Sequence, residues 1–133
     1  MKYLIIGLGE FGRTLALELT DKLNDVIGID SNEHRVNYIK DRISLTYIMD
    51  ATEPLALAEL PLKEVDCAIV AIGQSMDSSL RTVAALKENG VANIYARAID
   101  DTHLSILKAM NIQKIFIPEK YAAQMYVKNY MSF

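Results

Sequence analysis

The feature that most constrains the fold is a glycine-rich turn between an apolar strand and a helix. Residues 3–6 form a short apolar run, and Gly7, Gly9 and Gly12 follow it in the spacing G-x-G-x-x-G. A helical pattern comes next, and a second apolar run ends at Asp30. A glycine motif alone is weak evidence, but a strand before it, a helix after it and an acid closing the next strand are typical of a dinucleotide-binding βαβ unit.

Each glycine in the motif has its own physical role. Gly7 allows a sharp turn, Gly9 lets the backbone approach a pyrophosphate, and Gly12 lets the helix pack closely on the sheet. The free N–H groups and the positive dipole end of that helix attract phosphate. Asp30 can accept hydrogen bonds from ribose hydroxyls and would repel the 2′-phosphate of NADP. The alternatives are a turn that only packs and an Asp30 that only caps the strand end.

Composition limits the class of protein. The 133 residues suit one domain, and a net charge of −3 without a basic block argues against a nucleic-acid binder. The single cysteine, Cys67, lies in an apolar run and is predicted to be a small buried hydrophobe. Because the chain starts directly with a strand and no apolar run reaches the ~18 residues of a membrane span, we expect a soluble, cytoplasmic protein.

Strand-like and helix-like segments alternate along the whole chain. Predicted strands cover residues 3–6, 26–30, 45–49, 67–72, 94–97 and 115–117, with a helix between each pair. This alternation predicts an α/β fold, a Rossmann-like doubly wound sheet of six parallel strands in the order 3-2-1-4-5-6. The residues at the carboxyl ends of the strands should then surround one crevice at the switch point between strands one and four.

Two local predictions concern the segment after the third strand. Thr52 is expected to cap a helix that has Pro54 in its first turn, where proline is tolerated. Leu55, Ala58 and Leu60 are expected to face the core of the protein.

The last stretch, residues 118–133, predicts a helix with an aromatic face. Ala122, Tyr126, Tyr130 and Phe133 recur at the spacing of one helical face, and we expect the rest of the chain to leave this face uncovered. This pattern favours a partner surface. The alternative is a helix that folds back on its own sheet.

The whole chain resembles the RCK family, also called KTN or TrkA-N domains. Members of this family regulate potassium channels and the Trk and Ktr potassium uptake systems. The resemblance rests on the glycine turn and on four further motifs. These are Asp30 with Asn32, Asp50-Ala51-Thr52, Val70-Ala71-Ile72-Gly73 and Ile115-Phe116-Ile117-Pro118-Glu119-Lys120.

The resemblance implies a bound nucleotide, either NAD(H) or an adenine nucleotide (ATP, ADP or AMP). The implied contact residues are Gly7, Leu8, Gly9, Glu10, Phe11, Gly12, Arg13, Asp30, Ser31, Asn32, Arg35, Asp50, Ala51, Thr52, Ile72, Gly73 and Arg97. Arg13 and Arg97 are candidate phosphate contacts, with a plain surface charge as the alternative for each. Asp50 could instead cap the helix that follows it.

The resemblance also implies assembly. Residues 1–117 correspond to the Rossmann-like N-lobe, and residues 118–133 to the start of a crossover helix that joins a homodimer or a larger ring. The partner would be an integral-membrane potassium transporter or channel, which places the domain at the inner face of the membrane. Family members usually carry a further C-terminal lobe, so this chain is expected to be either a truncated piece or an N-lobe-only protein.

Two acidic residues, Glu10 and Glu119, bear on which ligands the crevice accepts. Members that sense ATP often carry an arginine where this chain has Glu10, and a carboxylate there would repel a γ-phosphate. Glu119 could bind a divalent cation across a dimer interface, as in some relatives. A solvated carboxylate in the first turn of a helix is the preferred interpretation, and no other metal ligand set is expected.

Two other functions compete with a regulatory domain. One is the coenzyme domain of an NAD-dependent oxidoreductase, but no proton-transfer constellation appears at the strand ends, and we expect no catalysis. The histidines, His34 and His103, are both expected to be surface residues away from the crevice. The other alternative is a redox or energy sensor of a different transport system, which would use the same site residues.

Overall fold

Strands and helices alternate through residues 1–131, the part of the chain that the computed structural model describes. The strands are β1 (Lys2–Ile6), β2 (Asp25–Asp30), β3 (Leu45–Ile48), β4 (Cys67–Val70), β5 (Ile94–Arg97) and β6 (Lys114–Phe116). The helices are α1 (Glu10–Asp21), α2 (Glu33–Ile39), α3 (Pro54–Leu57), α4 (Met76–Glu88), α5 (Asp101–Ala109) and α6 (Pro118–Tyr130), with a short 3-10 turn at Leu62–Glu64.

The six strands form one parallel sheet in the order β3-β2-β1-β4-β5-β6. The predicted fold class and strand order are therefore confirmed. Strand β1 lies at the centre, where Leu4 pairs with Ile27 of β2 on one side and with Ala68 of β4 on the other. The chain reverses its direction of travel across the sheet at this β1–β4 boundary, so the carboxyl ends of the strands open a crevice there.

The core lies on both faces of the sheet. Along β1, Leu4 and Ile6 belong to one hydrophobic cluster and Ile5 belongs to the other, and none of the three is more than 2% exposed. Burial on both faces explains why the strands read as continuous apolar runs. Cys67 is 1% exposed, and burial raises the pKa of its thiol to about 11, which confirms the prediction of a small buried hydrophobe.

The predicted cap of the third helix is wrong. The residue before α3 is Glu53, which makes no side-chain capping bond. Thr52 instead donates its backbone N–H and its hydroxyl to one carboxylate oxygen of Asp50, at 3.0 and 2.6 Å. The Asp50 carboxylate therefore closes a tight turn at the end of β3 rather than reaching the helix.

The predicted inward face of this helix is also partly wrong. Leu60 is 9% exposed, as expected, but Leu55 is 86% exposed and Ala58 is exposed as well. The fully buried residue is Leu57. Helix α3 is a single turn, so a periodic face cannot extend through it, and the chain changes direction before Leu60.

The two histidines have different environments. His34 is exposed, as predicted, whereas His103 is fully buried, and the prediction of a surface residue is wrong. The N–H of Ile99 donates to Nδ1 of His103 at 2.9 Å, so Nε2 carries the proton and faces Ser79 Oγ at 3.0 Å. Burial lowers the pKa of His103 below its ordinary value of 6.5.

Helix α6 leaves the body of the protein. Every residue from 119 to 131 is exposed, including Tyr121, Tyr126 and Tyr130 at 62%, 60% and 76%. The alternative of a helix folded back on its own sheet is therefore not what the structure shows. Phe133, predicted on the same face, lies outside the described residues. None of the helices in residues 1–131 has both the length and the apolar character needed to cross a membrane.

Candidate functional site

The glycine turn opens the crevice at the end of β1. Gly7 has a φ of 99°, a left-handed conformation that favours glycine, and a Cβ there would come within 2.9 Å of the backbone nitrogen of Ile72. A Cβ on Gly12 would overlap the carbonyl oxygen of Gly7. Both positions therefore require glycine for physical reasons, and α1 begins directly above the crevice at Glu10.

Asp30 closes the same side of the crevice. Its two carboxylate oxygens accept the backbone N–H groups of Leu8 and Asn32, both at 2.8 Å, which holds the side chain rigidly beside the turn. The guanidinium of Arg35 lies 3.7 Å from one of these oxygens. The remaining lone pairs of the carboxylate stay available to an incoming hydroxyl, since each carboxylate oxygen can accept more than one bond.

The crevice has a volume of about 720 Å³, within the range of small-molecule sites. Most of the residues predicted from the sequence line it. These are Gly7, Gly9, Glu10, Phe11, Asp30, Ser31, Arg35, Asp50, Ala51, Thr52, Ile72, Gly73 and Arg97. Residues at or just after the carboxyl ends of the strands therefore line one crevice, as the strand order predicts.

Four predicted residues do not line the crevice. Leu8 and Gly12 are buried behind the turn. Asn32 caps α2, because its side-chain oxygen accepts the backbone N–H groups of His34 and Arg35. The guanidinium of Arg13 bonds Glu10 at 2.7 Å and lies over the ring of Tyr38 at 4.6 Å. The structure thus directs Arg13 toward α2 rather than into the crevice.

The turn after β3 forms the end of the crevice beyond Asp30. Hydrogen bonds from Thr52 hold the pKa of Asp50 below its ordinary value of 3.8, so this carboxylate is ionised at neutral pH. Because both bonds go to one oxygen, Oδ1, the other oxygen is available to a ligand. A carboxylate in this position suits a hydroxyl or an amino group rather than a phosphate.

The opposite end of the crevice holds an ion pair. Arg97, at the end of β5, is only 9% exposed and donates from Nη2 to the carboxylate of Glu119 at 2.7 Å. This bond lowers the pKa of Glu119 below its ordinary value of 4.5. Among residues 1–131, no group of three or more potential metal ligands includes Glu119 or any other side chain.

One wall of the crevice was not predicted from the sequence. It comes from the start of α4 and from the segments next to it, and the added residues include Gln74, Ser75, Ser78 and Thr82. Ser75 caps α4 by accepting the N–H of Ser78 at 3.1 Å. The signal was present, since a helix that follows β4 directly must begin at the same edge of the sheet as α1.

Comparison with known families identifies the domain type. The model of the TrkA-N domain family matches residues 3–118. The chain is 33% identical over 131 residues to Ktr system potassium uptake protein C of Bacillus subtilis, which covers 98% of this chain and 59% of the relative. It is also 33% identical over 119 residues to Ktr system potassium uptake protein A of the same organism, covering 90% of this chain and 54% of the relative. The chain therefore spans between half and three-fifths of the length of these relatives.

Solved structures show the same fold at low sequence identity. The NAD(P)-binding domain of an exopolyphosphatase-related protein from Archaeoglobus fulgidus superposes with a TM-score of 0.80 at 20% identity, covering 95% of this chain and 94% of that one. The Kef CTD of Shewanella denitrificans in its AMP-bound form has a TM-score of 0.75 at 18% identity, with coverage of 96% and 79%.

Proposed function

The chain belongs to the TrkA-N domain family, and we therefore propose that it is a nucleotide-binding regulatory domain of a potassium transport system. The observation that carries the proposal is the crevice at the β1–β4 boundary, where the glycine turn and the Asp30 carboxylate lie side by side. Relatives in Bacillus subtilis are named as Ktr potassium uptake proteins, which supports potassium transport as the regulated process.

The residues of the crevice suggest how a nucleotide would lie. Its phosphates would meet the backbone at Gly9 and the positive end of the α1 dipole. The adenosine ribose would donate its hydroxyls to Asp30, and the Asp50 turn would lie near the adenine. Asp30 favours a free 2′-hydroxyl over a 2′-phosphate, so the ligand would be NAD(H) or an adenine nucleotide rather than NADP.

The start of α1 bears on which of these nucleotides is preferred. Glu10 lines the crevice next to the glycine turn, and its only ion-pair partner among residues 1–131 is Arg13, at 2.7 Å. Arg13 offsets part of the Glu10 charge, and the negative charge that remains would repel a γ-phosphate more than it repels shorter phosphate groups. We therefore place NAD(H), ADP and AMP ahead of ATP as ligands of this chain.

Helix α6 would carry the signal out of the crevice. Its exposed tyrosines form an apolar face that suits a second copy of the chain, in a homodimer or a larger ring. A ligand that prefers one dimer geometry would shift the population toward that geometry. The domain would then act from the cytoplasmic face on an integral-membrane potassium transporter or channel.

The rival function is a coenzyme domain of an oxidoreductase. Among residues 1–131, the crevice lining contains no histidine, cysteine, lysine or tyrosine that could move a proton at a substrate. His103 is buried and bonded to Ser79 outside this lining, which further weakens a role in proton transfer. The relatives named as potassium uptake proteins favour a regulatory domain over this alternative.

Calorimetry on the purified protein tests this proposal. NADH, NAD, ATP, ADP and AMP would each be titrated into the parent and into Asp30→Asn, which is expected to weaken the preferred ligand at least about tenfold because an amide replaces the charged ribose acceptor. Asp25→Asn, at the opposite end of the same strand, is the matched control and should bind like the parent. Equal affinity in the parent and Asp30→Asn would refute the site.

A further inference from the structure

Arg97 connects the crevice to the first turn of α6. It is the last residue of β5 and lines the crevice, and its Nη2 donates to both carboxylate oxygens of Glu119, at 2.7 and 2.5 Å. Glu119 follows Pro118 at the start of α6, and Ala122 of the next turn also lines the crevice. The beginning of α6 is therefore part of the crevice wall, and an arginine side chain holds it there.

The space around the guanidinium is shaped by its neighbours. A Cβ on Gly73, three residues after β4, would overlap Nη1 of Arg97, so this glycine leaves room for the arginine side chain. The guanidinium carbon lies 5.9 Å from the centre of the Phe11 ring, and that ring packs edge-on against Phe116 at 5.3 Å. Arg97 thus lies between Gly73 and the Phe11 ring of α1, and Phe116 of β6 packs against that ring.

The ion pair uses only part of the guanidinium. Glu119 takes both of its bonds from the single nitrogen Nη2, and the buried Nε of Arg97 has no hydrogen-bond partner among the described residues. An unsatisfied buried donor is unfavourable. The Nε and Nη2 donors of an arginine form a fork that matches two oxygens of a phosphate, so a phosphate offers this side chain a more complete set of bonds than Glu119 does.

We propose that the Glu119 carboxylate is an intramolecular anion bonded to Arg97 in the absence of ligand. A phosphate of the bound nucleotide replaces Glu119 as the partner of Arg97, which releases the first turn of α6. This inference rests on the proposed function, because it assigns the regulation of the same crevice. Arg97 becomes the residue that reads the anionic part of the ligand. Glu119 is the residue through which ligand binding in the crevice changes the mobility of α6, because its bond to Arg97 is lost when the ligand binds.

Helix α6 has few other attachments that would oppose this release. Besides the Arg97–Glu119 pair, the first turn makes one ion pair among residues 1–131, between Lys120 and Asp101 of α5 at 2.7 Å. The side chains of that pair are 58% and 77% exposed, and exposed pairs contribute little. Loss of the contact with Arg97 therefore removes the better-buried of the two links.

Competition between Glu119 and phosphate can be measured with ADP. Glu119→Gln keeps the size of the side chain but removes its charge, so it should tighten ADP binding by about three- to tenfold relative to the parent. Adenosine, which carries no phosphate, should bind the variant and the parent equally. The matched control is Asp101→Asn, which removes the other first-turn ion pair and should leave ADP affinity unchanged.

Amide hydrogen exchange supplies the second readout. In the parent, ADP should speed exchange at Tyr121, whose N–H bonds the carbonyl of Ile117 at 3.2 Å in the first turn. In Glu119→Gln, exchange at Tyr121 should be fast already and should not respond to ADP. Unchanged or weaker ADP binding by Glu119→Gln, or an equal gain for adenosine, would overturn the inference while leaving nucleotide binding intact. No nucleotide binding by the parent would overturn the proposed function as well.

Discussion

The sheet domain and helix α6 differ in how far their large side chains are exposed to solvent. In the body formed by β1 to β6 and the helices between them, Leu4, Leu86 and Leu107 are fully buried. On α6, Tyr126 and Tyr130 are 60% and 76% exposed. The centroids of their two rings are 5.1 Å apart, so the rings pack against each other. These core leucines are covered by the body's own residues, and its exposed apolar side chains, such as Leu23 and Leu55, lie singly in loops and short elements. Helix α6 instead presents neighbouring tyrosines that residues 1–131 do not cover.

This difference suggests a division of labour. The body forms a rigid crevice, because the carboxyl ends of buried parallel strands hold its lining in place. Helix α6 begins in the crevice wall at Pro118 and then projects away from the body. A helix attached at one end to a ligand site and exposed along its length is well placed to transmit ligand binding to a second molecule.

The largest expected effect comes from removing a buried side chain of the body. Leu107→Ala should lower the free energy of unfolding by about 2–5 kcal/mol, because it leaves a cavity among fully buried neighbours. Tyr126→Ala removes a larger side chain from an exposed site and should change it by less than about 0.5 kcal/mol. Urea unfolding at low protein concentration measures both. Similar losses for the two variants would erase the contrast between body and α6.

The second effect concerns association. Tyr126→Lys combined with Tyr130→Lys should raise the dissociation constant of the dimer at least about thirtyfold, because it places charges in an apolar interface. Lys128→Ala, on the opposite face of α6, is the control and should leave association unchanged. Sedimentation velocity measures the shift toward monomer. A parent that is already monomeric would contradict the proposed dimer outright.

The third effect is a pH dependence that belongs to the body alone. The pKa of His103 is lower in the folded protein than its ordinary value of 6.5, so the unfolded chain binds the proton first. Stability should therefore fall as the pH drops below about 6.5, by at most about 1.4 kcal/mol per pH unit.

Urea titrations at pH 7.5 and pH 5.5 measure this dependence. His103→Gln should reduce the loss on acidification, whereas the exposed His34→Gln should behave like the parent. If the two variants lose stability equally as the pH falls, the burial of His103 is not its cause.

The smallest effect concerns the exposed attachment of α6. Asp101→Asn removes the ion pair with Lys120, whose side chains are 77% and 58% exposed, and should change the free energy of unfolding by less than about 1 kcal/mol. The same urea titration measures it, with and without 1 M salt. A larger loss would show that α6 is fastened to the body more firmly than its exposure indicates.

Sequence patterns predicted the body well, because its strands are buried and its connections are regular. The glycine spacing placed the turn, and the acid closing the second strand identified Asp30 beside it. The patterns failed where a contact between distant residues decides the outcome. His103 is buried because its ring nitrogens are paired with Ile99 and Ser79, although its i, i+4 spacing from the buried Leu107 was a usable signal.

The candidate site shows the same limit. Arg13 and Arg97 were equally good phosphate candidates in the sequence, yet only Arg97 lines the crevice. Arg13 lies one turn after Glu10 on α1, and this spacing lets the two side chains form an ion pair. The Arg13 guanidinium then stacks over the Tyr38 ring. Sequence also could not show that Arg97 would be bonded to Glu119, since the pairing depends on the direction in which α6 leaves the sheet.

The most direct test of the account is amide chemical-shift mapping by NMR while ADP, and separately NADH, is added to the protein. We predict that at least one ligand shifts the amides of the glycine turn, Asp30 and Gly73, and with them the first turn of α6 at Lys120 and Tyr121. The shifts should be small at Asp25 and Asn93, which lie at the amino ends of β2 and β5, on the side of the sheet away from the crevice. No shifts with either nucleotide, or shifts confined to residues outside the crevice, would contradict the account.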